Sequence, residues 1–231
     1  MYDERCAPRY GAWRAVVERT LFAFLDCGIE ERGFARVRCD ACRREDRVAL
    51  SCQRRGFCSS CHAKRAVLWA EWLTGAVLAP VPHHQWVFTV PKRLRLFFLY
   101  DRHLLGALSR GAWRTVRDLY RAGLRDGHAV PGMVVSIQTY GDLANRQPHL
   151  HALVSAGGHH REGVFPPLPL PPAGVAEERF RRRGMKMLRH HGRLEDEDAS
   201  GLWSWRHSGF PVPHAIRVDS RDTEGVERLC P

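Results

Sequence analysis

Four of the eight cysteines stand in two short pairs whose spacing is typical of zinc ligands. Cys39 and Cys42 form the sequence CDAC, Cys58 and Cys61 form CSSC, and 15 residues separate the two pairs. Each C-x2-C turn aims two thiolates at one point, so two such turns brought together by a hairpin can enclose a tetrahedral zinc ion. We therefore predict structural Zn²⁺ held by these four cysteines.

Other potential ligands lie in or near the same segment. Cys52 and His62 fall within the cysteine-rich region, and either could replace one of the four predicted ligands. The favoured interpretation of Cys52 is a small buried residue beside the metal. Cys6, Cys27 and Cys230 are interpreted as ordinary thiols.

The chain is strongly basic, with a formal net charge of +11 in 231 residues, and arginine supplies most of that charge. Arginine binds phosphates through two parallel hydrogen bonds and stacks on bases, which favours a nucleic-acid partner over a merely solvated surface. Cations cluster around the cysteine pairs. Those predicted to contact DNA there are Arg54, Arg55, Lys64 and Arg65.

Two histidines form a second candidate metal site. His149 and His151 alternate along a predicted strand, so both imidazoles project from one face of the sheet. Gln138 lies across a predicted hairpin and could supply a third ligand, although a polar strand residue facing solvent is the competing interpretation. Such an open-sided site suits Mg²⁺ or Mn²⁺ with coordination positions left for a phosphate.

These residues must be positioned by an α+β fold in two domains. Residues 1–80 contain helical patterns at 11–25 and 63–78 that flank a zinc-ribbon-like segment. Residues 83–231 follow the order strand, helix, strand, strand, helix, strand, which is typical of a ferredoxin-like antiparallel sheet. The predicted elements of this domain are strand 85–90, helix 94–122, strands 132–140 and 148–155, helix 174–191 and strand 214–218.

The helix predicted at 174–191 carries cations along one side. Arg179, Arg182, Arg183 and Lys186 lie at helical spacing, with Phe180 and other apolar residues largely on the other side. Such a row could follow the backbone of single-stranded DNA, or it could be an ordinary solvated helix surface.

Several segments together resemble the rolling-circle transposases of bacterial insertion sequences, including the insertion-sequence common-region group, within the HUH (His-hydrophobe-His) endonuclease superfamily. The resemblance is carried in order by residues 24–42, 51–65, 85–95, 147–158 and 207–213. It implies an N-terminal zinc-binding domain followed by a nuclease domain. It also implies that a metal polarises the scissile phosphate while a tyrosine attacks it, leaving a 5′-phosphotyrosine and a free 3′-OH.

The nucleophile departs from the family pattern. All five tyrosines precede His149, whereas the family places the catalytic tyrosine after the histidine pair. A helix capped by Asp222 or Thr223 is predicted to begin shortly before the last residue, Pro231. We therefore expect that the chain is truncated before its nucleophile, with Tyr140 as the alternative.

The predicted function is thus that of a transposase acting on single-stranded DNA at element ends. A non-catalytic, zinc-dependent DNA-binding remnant and a plasmid replication initiator are the alternatives. The sequence contains neither an apolar stretch of membrane-spanning length nor a secretory leader, which favours the cytoplasm. Oligomeric state cannot be inferred from the sequence.

Overall fold

A computed structural model describes residues 2–54, 56–141, 146–160, 163–205, 207–219, 222 and 224–225. Within these residues the chain divides into two compact units, at Met1–Glu71 and Trp72–Pro231. The predicted domain limits of 1–80 and 83–231 remain predictions. No helix in the described part of the chain is long and apolar enough to span a membrane.

The first unit consists of short helices around a two-stranded hairpin. Strand β1 pairs antiparallel with β2, from Phe34 opposite Ala49 to Arg38 opposite Glu45. The hairpin tip therefore carries residues 39–44. The elements of this unit are α1 (Tyr2–Arg5), α2 (Ala7–Tyr10), α3 (Ala15–Leu25), β1 (Phe34–Arg38), β2 (Glu45–Ala49) and α4 (Ser59–Trp72), which continues as a π-helical turn at Leu73–Val77.

The second unit combines a four-stranded sheet with two long helices. Its elements are β3 (His83–Thr89), α5 (Phe97–Tyr100), α6 (His103–Leu124), β4 (Val130–Tyr140), β5 (Arg146–His159), α7 (Ala173–His190), α8 (Asp196–Trp203) and β6 (Ile216–Val218). All six predicted elements are present. The predicted helix 94–122 is interrupted near Asp101 and becomes α5 and α6, and α8 was not predicted from the sequence.

The strand order in this sheet is β4-β5-β3-β6, and all neighbours are antiparallel. In chain order the first strand lies between the third and the fourth, which is the arrangement of the ferredoxin-like fold. The structure thus confirms the predicted α+β class.

The two faces of the sheet have different environments. Trp86, Phe88, Leu150, Ala152 and Val154 point from β3 and β5 into the main core. Side chains of α6 and α7 fill the same core, so both helices cover this one face. Because side chains alternate along a strand, the residues between these positions project from the opposite face, which is called the open face below.

Candidate metal centres and nucleic-acid interface

Four cysteine sulfurs converge in the first unit. Cys27, Cys52, Cys58 and Cys61 place their Sγ atoms within 4.8 Å of one another. The Sγ atom of Cys61 lies 3.6 Å from those of Cys27 and Cys52, and the Cys27 and Cys58 sulfurs are 3.8 Å apart. Tetrahedral zinc with Zn–S bonds of about 2.3 Å requires sulfurs about 3.8 Å apart. The four thiols therefore fit a zinc ion.

The hairpin explains which cysteines meet. Cys27 precedes β1 and Cys52 follows β2, so antiparallel pairing brings both to the open end of the hairpin. Backbone bonds from Gly28 to Leu50 (3.0 Å) and from Leu50 to Gly33 (3.0 Å) extend that end. The start of α4 places Cys58 and Cys61 at the same end of the hairpin, and both are buried.

Two predicted ligands lie elsewhere. Cys39 and Cys42 are exposed at the hairpin tip, and five strand residues of about 3.4 Å each place the tip roughly 17 Å from the other end. The predicted set of Cys39, Cys42, Cys58 and Cys61 is therefore not the set that the structure brings together. The C-x2-C spacing identified Cys58 and Cys61 as members of the cluster. Cys27 and Cys52 flank the two hairpin strands in the sequence, and this position is the signal that could have identified them.

The electrostatics of the cluster favour a thiolate at Cys61, whereas the pKa values of Cys27 and Cys52 are raised by burial and by hydrogen bonds with neighbouring thiols. Burial opposes ionisation of Cys61, but hydrogen bonds from the Cys27 and Cys52 thiols outweigh it and lower the pKa of Cys61 to about 7. A thiolate is the form that binds a metal. At the hairpin tip, backbone N–H groups of Cys42 and Ala41 and the Cys42 thiol lower the pKa of Cys39. His62 is exposed and lies outside the cluster.

The histidine pair lies on the open face of the sheet. Strand β5 places His149 opposite Gln138 of β4 and opposite Thr89 of β3, while His151 lies opposite Ser136 and Val87. The two imidazole ring centroids are 4.9 Å apart. The predicted alternation and the predicted cross-strand position of Gln138 are thus present in the structure.

Each imidazole is oriented through its Nδ1 atom. The Nδ1 atom of His149 lies 2.6 Å from the Gln147 carbonyl oxygen, to which it can only donate, and this leaves Nε2 free as a ligand. The Nδ1 atom of His151 lies 3.3 Å from the Gln85 side-chain amide. Turning that amide so that its oxygen accepts the Nδ1 proton leaves the second Nε2 free as well.

Burial, and then the neighbouring His149, lower the pKa of His151. The neutral imidazole that results is the form that coordinates a metal. Gln85 was not recognised from the sequence as part of this site, because its contact with His151 depends on the β3–β5 register.

The cations predicted near the cysteines lie at the surface. Arg54, Lys64 and Arg65 are exposed, and Lys64 and Arg65 line an open cleft beside Cys61. Arg55 lies outside the described residues.

The cations predicted on α7 are of two kinds. Arg183 is half-buried and ion-paired with Asp118 of α6, so it has a structural partner. Arg179, Arg182 and Lys186 are exposed; among them Arg182 pairs with Glu178 one turn away at 2.7 Å. Since α7 covers the core face of the sheet, this row lies on the opposite side from the histidine pair.

The tyrosines differ in accessibility. The Tyr120 hydroxyl is buried and donates to the Ser155 carbonyl at 2.8 Å, and burial raises its pKa. Tyr140 is 57% exposed at the end of the strand that holds Gln138, beyond a register shift.

At the start of the predicted C-terminal helix, the Asp222 carboxylate accepts the Gly225 N–H at 2.7 Å, as a helix cap would. Residues 226–231 of the predicted helix lie outside the described residues.

Comparisons with known proteins agree with this arrangement. A family model described as "Transposase zinc-binding domain" matches residues 2–90, and one described as "Putative transposase" matches residues 132–231. The "Transposase for insertion sequence element IS801" of Pseudomonas savastanoi pv. phaseolicola is 32% identical over 78% of this chain and 42% of that protein. The "Putative transposase y4qJ" of Sinorhizobium fredii is 26% identical over 71% of this chain and 40% of that protein.

The chain therefore spans about two fifths of the length of these curated relatives. No solved structure matches it. The two domain matches and the cysteine cluster place the chain among proteins of a transposase family that have an N-terminal zinc-binding domain. The chain belongs to the IS91 family of insertion-sequence transposases.

Proposed function

We propose that the chain carries the metal-dependent centre of a transposase that cleaves and rejoins single-stranded DNA at element ends by the HUH mechanism. The observation that carries the proposal is the histidine pair on the open face, whose ring centroids are 4.9 Å apart and whose Nδ1 atoms each face a hydrogen-bond partner. His149, His151 and Gln138 would hold Mg²⁺ or Mn²⁺. The sheet face leaves the other side of that ion open to a phosphate.

In this proposal the residues of the sheet position the ion and its ligands. The Gln147 carbonyl fixes the tautomer of His149, and Gln85, once its amide oxygen is turned to Nδ1, would do the same for His151. The bound cation supplies charge stabilisation at the scissile phosphate. A tyrosine oxygen would form the new P–O bond as the 3′ oxygen of the neighbouring nucleotide leaves. Tyr140 is the described tyrosine on the strand that holds Gln138, and Tyr120 is excluded by burial.

Structural Zn²⁺ in the first unit completes the proposal, with Cys27, Cys52, Cys58 and Cys61 as its ligands. Arg54, Lys64 and Arg65 beside the cluster would contact DNA phosphates. The zinc unit would then bind the element end.

The proposed catalytic metal site is tested by Mn²⁺ titration of the whole chain, followed by electron paramagnetic resonance of the free ion. The double variant His149→Ala/His151→Ala should lose one Mn²⁺ site while retaining its zinc, because the two ligand sets share no residue. The matched control is His190→Ala/His191→Ala, which removes an exposed histidine pair at the end of α7. Equal Mn²⁺ binding by the wild type and the His149/His151 variant would refute the assignment.

Strand cleavage separates the candidate functions. Single-stranded DNA carrying an element end and Mn²⁺ should give a covalent protein–DNA adduct if Tyr140 is the nucleophile, and Tyr140→Phe should abolish it. Tyr100→Phe, which alters a tyrosine that is 84% exposed, is the control. An adduct that persists in Tyr140→Phe would reject Tyr140. DNA binding without any adduct would identify this chain as the non-catalytic alternative.

A further inference from the structure

We infer that the outer surface of α6 and α7 is a second DNA-binding face, specific for the backbone of duplex DNA and separate from the histidine site. This inference rests on the proposed function in that the ligand is DNA. It differs from the sequence-based expectation, which offered a track for single-stranded DNA or an ordinary solvated surface for the α7 cations.

Charge is concentrated on these two helices. Together α6 and α7 contain ten Arg and Lys residues and only three acidic residues. The exposed or half-exposed cations repeat every three or four residues, so they form one row along each helix. The α6 row is Arg110, Arg114, Arg117 and Arg121, and the α7 row is Arg179, Arg182, Lys186 and Arg189.

The dimensions of the two rows suit an extended polyanion. Each row spans ten or eleven residues, which corresponds to about 16 Å along a helix. The helices pack side by side, joined through Arg183 and Asp118, and packed helix axes are about 8–10 Å apart. Two rows on neighbouring packed helices make a broad basic surface rather than a narrow channel.

This surface lies away from the histidine pair. Phe180 and Leu188 lie in the core, on the side of α7 that packs against the sheet. Arg179 and Lys186 are exposed and project from the other side. A helix with its side chains is about 10–12 Å across, and the sheet itself intervenes before His149 is reached. A DNA segment seated on the rows therefore cannot present the same phosphates to the histidines.

The aromatic side chains of these helices favour duplex over single-stranded DNA. Single-strand binding surfaces pair cations with exposed aromatic rings on which bases stack. Here Tyr120 and Phe180 are buried, and the Arg117 guanidinium lies over the Trp113 ring at 5.0 Å from its centroid. On α6 and α7 the ring surface left for stacking is thus limited to the uncovered part of the half-buried Trp113. The two rows therefore offer mainly phosphate contacts, which suits sequence-independent contact with a duplex backbone.

The test measures the salt dependence of DNA binding by the whole chain. A 20-bp duplex and a 20-nucleotide oligo-dT are titrated by fluorescence anisotropy at several salt concentrations. In Arg179→Gln/Lys186→Gln the slope of log K against log salt for the duplex should become shallower by about 1.8, since each lost phosphate contact contributes about 0.9. The oligo-dT affinity should stay within twofold of wild type.

Arg102→Gln/Arg125→Gln is the matched control, because it removes two exposed cations at the ends of α6, outside the two rows. Its duplex slope should equal that of the wild type. An unchanged slope in Arg179→Gln/Lys186→Gln would overturn the inference, as would an equal change in the control or a parallel loss of oligo-dT binding. The Mn²⁺ titration of the histidine variant reports on the proposed function independently of all these outcomes.

Discussion

The two units of the chain are stabilised in different ways. Among the described residues, the unit at 1–71 buries only three apolar side chains, those of Cys58, Cys61 and Ala70. The unit at 72–231 buries thirty, including Trp86 and Phe180. A segment with so little core needs another source of folding free energy, and a structural metal is a common one. We therefore expect the first unit to depend on zinc and the second to be independent of it.

The largest expected effect is loss of zinc from the first unit. Removing Zn²⁺ with a chelator should unfold residues 1–71 and leave the second unit folded, because structural zinc contributes on the order of 10 kcal/mol to folding of such domains. Hydrogen exchange with mass spectrometry resolves the two units in the intact chain. Loss of protection in β4 and β5 as well would show that the units are not independent.

Variants of single cysteines sharpen the same comparison. Cys52→Ser removes one of the four converging sulfurs and should cause the same unfolding, with loss of bound zinc. Cys39→Ser alters an exposed thiol at the hairpin tip and should retain zinc. Zinc loss in Cys39→Ser and not in Cys52→Ser would restore the ligand set that the spacing predicts.

A substitution in the core should destabilise the second unit and leave the first unit unchanged. The Phe180 ring packs 4.9 Å from Phe88 and 6.0 Å from Phe210, centroid to centroid, and is fully buried. Phe180→Ala should lower the free energy of unfolding of the second unit by about 3–5 kcal/mol through lost burial and the resulting cavity. Phe22→Ala, at a side chain that is 56% exposed in the first unit, is the control. Urea unfolding followed by fluorescence measures both variants.

These differences also show what the sequence could predict. Strands with clear alternation, such as β3 and β5, and the order of the elements in the second unit were predicted, because local periodicity and chain order constrain a ferredoxin-like sheet strongly. The position of Gln138 opposite His149 followed from the same alternation and a short hairpin.

Two of the four predicted zinc ligands, Cys39 and Cys42, lie away from the cysteine cluster for a physical reason. Cysteine spacing reports which thiols can share a turn, but it does not report which end of a hairpin a turn occupies. Cys39 and Cys42 share a turn at the tip, whereas Cys27 and Cys52 are 25 positions apart in the sequence and meet only after β1 and β2 pair. Similarly, the contact of Gln85 with His151 requires the non-local β3–β5 register, which no local pattern contains.

The smallest expected effect concerns a single hydrogen bond in the second unit. The buried Tyr120 hydroxyl donates to the Ser155 carbonyl at 2.8 Å and thereby links α6 to β5. Tyr120→Phe keeps the ring but leaves that carbonyl without this donor, so we expect a loss of about 1 kcal/mol. Tyr100→Phe, at an exposed hydroxyl, should change stability by less than about 0.5 kcal/mol.

The Tyr120 variant also tests whether the core, rather than any metal, sets the stability of the second unit. If it does, the loss in Tyr120→Phe is the same before and after chelation of zinc, because distant and independent contributions add. A loss that appears only in the zinc-loaded protein would mean that the first unit stabilises the α6–β5 contact. Measuring the urea midpoint of both variants with and without chelator therefore decides whether the chain consists of two separately stabilised units or of one coupled structure.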